Sequence, residues 1–102
     1  MPYPLHVAFI WHQHQPLYKS RLDNQYHLPW VRLHGTKDYL DLVLLLERYP
    51  KLHQTVNLVP SLILQLEDYV AGTAFDPYLS AALLPAESLS WEQRQFVLEH
   101  FF

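Results

Sequence analysis

From Leu5 to Trp11 the chain is apolar almost without a break, and the run passes directly into His12-Gln13-His14-Gln15-Pro16. Few folds accommodate that join. A short apolar run containing Val7, Phe9 and Ile10 reads as a buried strand of a parallel sheet. Its polar continuation then falls at the strand's carboxyl end, where α/β folds collect their reactive groups. If the strand extends through His14, its period of two puts His12 and His14 on one face and Gln13 on the other. Pro16, with no amide hydrogen to donate, ends the pairing.

The remainder alternates helix and strand. Tyr18 to Gly35 mixes charge, aromatics and Pro29 without a clean period, which predicts a long loop of the kind that usually carries function. Thr36 is placed to N-cap the next segment, with Asp38 against the positive helix start. Leu40, Leu42, Val43, Leu44, Leu45 and Leu46 leave that helix little polar face, so burial nearly all round is expected before Pro50 stops it. Gln54 to Val59 reads as a second short strand, and Pro60 suits the first turn of a helix. That helix carries Leu62, Ile63, Leu66, Tyr69 and Val70 at helical spacing and closes at Gly72. Pro77 and Pro85 divide the next stretch into short pieces. Ser90 with Gln93 three residues later has the capping-box pattern of a last helix. The expected class is α/β, parallel strands with helices. Two strands cannot cover both faces and edges of a sheet, so the pattern asks for further neighbours.

Half of the 102 residues are hydrophobic, which excludes a disordered chain. A net charge of -3 with no basic cluster argues against nucleic acid and anionic membrane surfaces as partners. No unbroken apolar run, Leu42 to Leu46 included, exceeds five residues, far too short to span a bilayer. The absence of cysteine rules out a disulfide framework and fits a cytoplasmic protein. The opening residues lack the basic region and apolar core of a signal peptide. Phe101-Phe102, directly after an amphipathic stretch, reads as a cut through a helix rather than a finished terminus.

Two imidazoles in register at a strand mouth, flanked by Trp11, Gln13 and Gln15, can hydrogen-bond the hydroxyls of a sugar while aromatic rings stack on its apolar faces. They can equally bind a metal. A single histidine there would more often be a packing or surface residue. Asn57, near the end of the second strand, is a further candidate, against the alternative that it satisfies turn backbone before Pro60. His-x-His after a first barrel strand is also how metal-dependent amidohydrolases begin. That chemistry needs more histidines and an aspartate on later strands, and His27, His34, His53 and His100 are not so placed. Spacing alone leaves the sugar site and the metal site open.

His12-Gln13-His14-Gln15-Pro16 closing the first strand resembles the first sequence motif of glycoside hydrolase family 57. Leu28-Pro29-Trp30-Val31-Arg32-Leu33-His34, followed by Thr36-Lys37-Asp38-Tyr39, resembles the stretch after that motif in α-amylase-like members. Asn57-Leu58-Val59-Pro60-Ser61-Leu62 and Gln65-Leu66-Glu67-Asp68-Tyr69 continue the likeness over most of the chain. The resemblance implies that residues 1–102 are the amino-terminal part of a catalytic domain. It implies the first two β/α units of an incomplete (β/α)7 barrel, truncated, acting on α-glucan or maltooligosaccharide by a retaining mechanism without a metal or other cofactor. The family motif gives His12 and His14 contacts with the sugar. With Gln15, Trp30, His34 and Asn57 they make up the candidate substrate-binding set, although Trp30, Arg32 and His34 could equally be structural.

Retaining hydrolysis needs a carboxylate nucleophile and a carboxylic acid about 5 Å apart. The resemblance places that glutamate and aspartate in later motifs, beyond residue 102. The ten carboxylates here fall on predicted helices or in loops, none at a strand end. The chain alone is therefore expected to hydrolyse nothing and to require the remainder of the barrel. Two competing expectations remain. One is a metal-dependent hydrolase of amidohydrolase or deacetylase type with His12 and His14 as ligands; the other is a non-catalytic remnant that binds glucan or a partner subunit.

Overall fold

The computed structural model describes residues 3–102. Two strands, β1 (Ile10–Gln13) and β2 (Thr55–Leu58), pair in parallel with Ile10 opposite Thr55 and His12 opposite Asn57. The α/β class and the parallel pairing follow the sequence pattern. The first strand is shorter than its apolar run predicts. Its first rung runs from the Thr55 amide to the Phe9 carbonyl at 3.0 Å, and residues 5–8 lie outside the ladder. A strand extends only as far as its partner, and β2 offers four residues. Burial differs too: Ile10 is 69% exposed, and Gln13 is the one buried residue of β1.

The connecting helix begins earlier than expected. Helix α1 (Trp30–His34), a π-helical turn (Gly35–Tyr39) and α2 (Leu40–Arg48) follow one another without a break. Pro29 opens the helix, its carbonyl accepting the Leu33 amide at 3.0 Å. Gly35 keeps helical dihedrals of -61° and -42° instead of ending a loop. Thr36, expected as an N-cap, sits inside the helix and donates its hydroxyl back to the Arg32 carbonyl at 2.8 Å. Glycine at position 35 has a packing reason: a Cβ there would lie 2.9 Å from Leu66 Cδ2 on the neighbouring helix.

Helix α3 (Pro60–Val70) starts with Pro60 in its first turn and ends before Gly72, whose φ of 71° is the left-handed conformation that glycine supplies. A short α4 (Pro77–Ala82), one 3-10 turn (Ala86–Ser88) and α5 (Trp91–His100) complete the order. The capping box forms as predicted: the Gln93 amide donates to Ser90 Oγ at 3.2 Å, and the Ser90 amide donates to Gln93 Oε1 at 2.8 Å. After α5, Phe101 stacks on Tyr78 at 5.7 Å between ring centroids, while Phe102 is exposed.

The core lies where α1, α3 and the approach to α4 meet, with Val31, Leu62, Ala74 and Ala81 buried and Tyr26 inserted from the loop. Helix α2, expected to be buried all round, has no buried residue; Leu44 is 49% exposed. Among the described residues nothing covers that face. The same openness appears in the whole: the radius of gyration is 18.7 Å, against about 13 Å for a compact chain of this length. The accessible surface of 8210 Å² likewise exceeds the roughly 6000 Å² of a folded monomer of this mass. No described helix is long and apolar enough to cross a membrane.

Candidate functional site

Parallel pairing sets His12 beside Asn57, and their side chains meet. The His12 Nδ1–H donates to Asn57 Oδ1 at 3.0 Å. Used this way, Nδ1 fixes the ring and leaves Nε2 free to accept from a ligand hydroxyl. The His14 ring stacks beside that of His12, centroids 5.8 Å apart and planes 29° from parallel, while Gln13 between them is buried. Both imidazoles and Asn57 are exposed. The strand ends at Gln13, short of His14, yet the two rings still lie together with Gln13 buried between them, and Asn57 serves His12 as its orienting acceptor.

Gln15 is engaged from two sides. Its Nε2 donates to the Tyr39 hydroxyl at 3.2 Å, and its Oε1 accepts from the Tyr18 hydroxyl at 3.0 Å. One N–H and one lone pair of the carboxamide remain. Burial, with the nearby Tyr39 second, pushes the Tyr18 phenol above its ordinary pKa, so it keeps the proton it donates. From Tyr39 the contacts run outward along the helix. Its ring lies 6.2 Å from that of His34, which lies 6.2 Å from Trp30, and His34 Nδ1 bonds the Asp38 carboxylate one turn on. The π-helical turn carries both Asp38 and Tyr39. Gln15, Tyr39, His34 and Trp30 thus form a continuous row, and no direct contact joins His34 or Trp30 to His12 or His14 among the described residues.

Other polar groups hold the scaffold. Arg32 grips Asp76 with two hydrogen bonds, Nε to Oδ2 at 2.8 Å and an NH2 nitrogen to Oδ1 at 3.1 Å. Asp76 also accepts from the Tyr69 hydroxyl at 2.9 Å and N-caps α4 through the Leu79 amide at 2.9 Å. Burial alone would raise the pKa of this fully buried carboxyl. The Arg32 guanidinium, the Leu79 amide and Tyr69 together outweigh burial and hold it below the usual range. Arg32 is therefore occupied as a structural cation. Asp68 takes Lys19 Nζ and the Tyr26 hydroxyl, each at 2.8 Å, tying the loop to α3; both bonds lower its pKa.

Two residues were missed by reading the sequence: Ser61 and Gln65, whose side chains bond the backbone at Gln15, Pro16 and Tyr18. The signal was present. Ser61, Gln65 and Asp68 are polar at helical spacing on a helix otherwise rich in Leu and Ile, a stripe that had to face something polar.

Sizeable concavities lie elsewhere. A cleft of about 420 Å³ sits between α3 and the start of α4, lined by Leu66, Tyr69, Phe75 and Leu79. Another, of about 380 Å³, lies between Trp30, Tyr78, His100 and Phe101. Neither includes His12, His14 or Asn57. Chemistry and not cavity volume marks the strand ends, where His12, His14 and Asn57 are exposed. No three His, Cys, Asp or Glu side chains converge as a metal cluster among the described residues.

Imidazole and carboxamide groups gathered at the carboxyl ends of parallel strands define an α/β unit equipped to contact a polar ligand. Residues 8–100 match the model for Glycosyl hydrolase family 57, and the chain belongs to that family, among the glycoside hydrolases of carbohydrate metabolism. No curated protein and no solved structure gives a match.

Proposed function

We propose that this chain forms the first two β/α units of a (β/α)7 barrel acting on α-glucan or maltooligosaccharide with retention, in the cytoplasm, and that His12 and His14 contact the sugar. The observation that supports this most is the juxtaposition of His14, His12 and Asn57 at the strand ends of a family 57 chain. A free Nε2 on an oriented imidazole accepts from a sugar hydroxyl, and the protonated ring donates to one. Trp30 and His34 offer a stacking face and a polar edge at the far end of the separate row that starts at Gln15.

The carboxylates that would form and break the glycosyl bond come from outside these residues. Asp68 and Asp76, the most heavily bonded acids here, are committed to Lys19 with Tyr26 and to Arg32 with Tyr69. The open faces of the sheet and α2 are where the remaining barrel packs. Alone, the 102-residue chain cleaves nothing.

The test uses the protein as its complete gene encodes it, with maltoheptaose as substrate. His12→Ala and His14→Ala should each lower kcat/KM about tenfold to a hundredfold, the effect of one or two lost hydrogen bonds. Full activity in both variants would refute the sugar-contact role. Reducing sugar released from soluble starch by the 102-residue chain would refute its inactivity. Zinc bound in stoichiometric amount, with activity lost on chelation, would favour the amidohydrolase-type chemistry instead.

A further inference from the structure

The β1–β2 ladder stops for a visible reason. Its last backbone rung runs from the Val59 amide to the Gln13 carbonyl at 3.3 Å. The Val59 carbonyl then turns away to accept the Leu62 and Ile63 amides at 3.0 and 3.1 Å, opening α3. In a parallel pair the Val59 carbonyl would instead accept the Gln15 amide, and the amide of residue 61 would then bond the Gln15 carbonyl. Residue 61 is already in the helix, yet its hydroxyl fills the vacant place: Ser61 Oγ donates to the Gln15 carbonyl at 2.8 Å.

One turn on, the Gln65 carboxamide bonds the backbone that follows. Its Nε2 donates to the Pro16 carbonyl and its Oε1 accepts the Tyr18 amide, both at 2.8 Å. These two groups bracket Leu17 as the N–H and C=O of one strand residue bracket their partner in a parallel pair, but out of step with the β1–β2 ladder, whose acceptors on this strand are the Phe9, Gln13 and Gln15 carbonyls. The second Nε2 hydrogen goes to the Ser61 carbonyl at 2.8 Å, so both donors are used and the side chain is fully buried.

We infer that Gln65, with Ser61, is the positioning residue of the His12–His14–Gln15 site: Ser61 adds one bond to the β1 ladder past the end of β2, and Gln65 clamps the backbone that follows. This rests on the reading of that motif as the sugar-contacting end. The ladder fixes the backbone before His14 and the α3 side chains fix it after, so the imidazoles are aimed before any ligand arrives. A misplacement of about 1 Å at such a site costs on the order of a hundredfold in rate.

The experiment uses the full-length protein and three variants, Gln65→Met, Gln65→Glu and Ser61→Ala, assayed with maltoheptaose well below each melting temperature. Gln65→Met keeps the volume and removes the amide. It should lower kcat/KM about tenfold to a hundredfold in the folded enzyme and displace the imidazole NMR signals of His12 and His14. Should it not fold, Ser61→Ala, which deletes one rung, carries the same expectation at smaller size. Gln65→Glu should recover activity at low pH and lose it as pH rises. A protonated carboxyl can donate to Pro16 while accepting from Tyr18, and the ionised form cannot. A merely structural role would move the melting temperature without that pH limb. Unmoved imidazole signals and unchanged kcat/KM in a folded variant would overturn the inference. If wild type has no action on glucan, the sugar reading fails by itself, and the imidazole signals still decide whether Gln65 positions the motif.

Discussion

The two sides of this molecule are held in different ways. Around α3, polar groups are matched: buried Gln65 with backbone, buried Asp76 with Arg32, Tyr69 and Leu79, and half-buried Asp68 with Lys19 and Tyr26. Around the sheet and α2, large apolar side chains such as Trp11, Val43, Leu44 and Val56 stand in solvent. The first side is specified by directional bonds and keeps its shape without further cover. The second has only nonspecific hydrophobic attraction to offer and no surface to exercise it on. The candidate site lies on the seam, its histidines on the open sheet and its backbone clamped from the closed side.

The strongest way to break the closed side is Asp76→Ala. It leaves Arg32 without its carboxylate, Tyr69 without its acceptor and α4 without its cap. Removing one partner of a buried pair typically costs about 3–5 kcal/mol, and that loss is expected in urea unfolding. A change under 1 kcal/mol would show that the pair is dispensable. The pH dependence has a definite sign. Because the folded carboxyl titrates below its ordinary range, its contribution is fully present above the unfolded value of about 4 and disappears as pH falls through the folded value. The Asp76→Ala protein should lose less stability on acidification than wild type.

A matched pair of truncations sharpens the contrast. Leu62 is fully buried, and Leu62→Ala should cost about 2–5 kcal/mol. Leu44→Ala makes the same chemical change on the open face and should shift stability of the 102-residue chain by no more than about 0.5 kcal/mol. In the full-length protein Leu44→Ala should become costly if the proposed barrel covers α2. Equal effects in both settings would mean that nothing packs there.

Local signals in the sequence were read reliably where the cause is local. Pro60 opening α3, Gly72 closing it and the Ser90–Gln93 box each depend on a few neighbouring residues, and all three are in place. The His12 and His14 rings likewise lie together with Gln13 buried between them, although the strand ends at Gln13. What depends on distant partners was misjudged. The apolar run from Leu5 signals a strand, but its ladder length is set by β2 some 45 residues away, as the register of His12 with Asn57 shows. Gly35 and Thr36 resemble a loop end and a helix cap, yet close packing on Leu66 and a hydroxyl bond to Arg32 carry the helix through both. Ser61 and Gln65 belong to a polar stripe visible in the sequence, but their partners are backbone atoms, so the residues alone do not say what the stripe faces.

Ser90→Ala tests a local device far from the contrast and should cost about 1 kcal/mol through loss of the Gln93 amide bond. It calibrates the larger effects: a loss near that of Asp76→Ala would mean that α5 docking, not capping alone, depends on Ser90.

The smallest effect expected belongs to Gly35→Ala, where two contributions nearly cancel. Alanine favours the helix by about 1 kcal/mol over glycine. Against this, the new methyl would sit 2.9 Å from Leu66 Cδ2 and force that group aside. Overpacking costs about 1–3 kcal/mol, and the lower end applies because the displaced atom is the tip of a half-buried, flexible side chain. The net change should fall within about 1 kcal/mol of zero. Combining Gly35→Ala with Leu66→Ala separates the two contributions, since the gain in helix propensity then stands without the clash. If the pair of changes together is more stable than Leu66→Ala alone by about 1 kcal/mol, close approach of α1 to α3 is the reason for glycine. If Gly35→Ala remains unfavourable even then, the π-helical turn itself demands glycine, and the row from Gln15 through Tyr39 to Trp30 depends on backbone shape more than on packing.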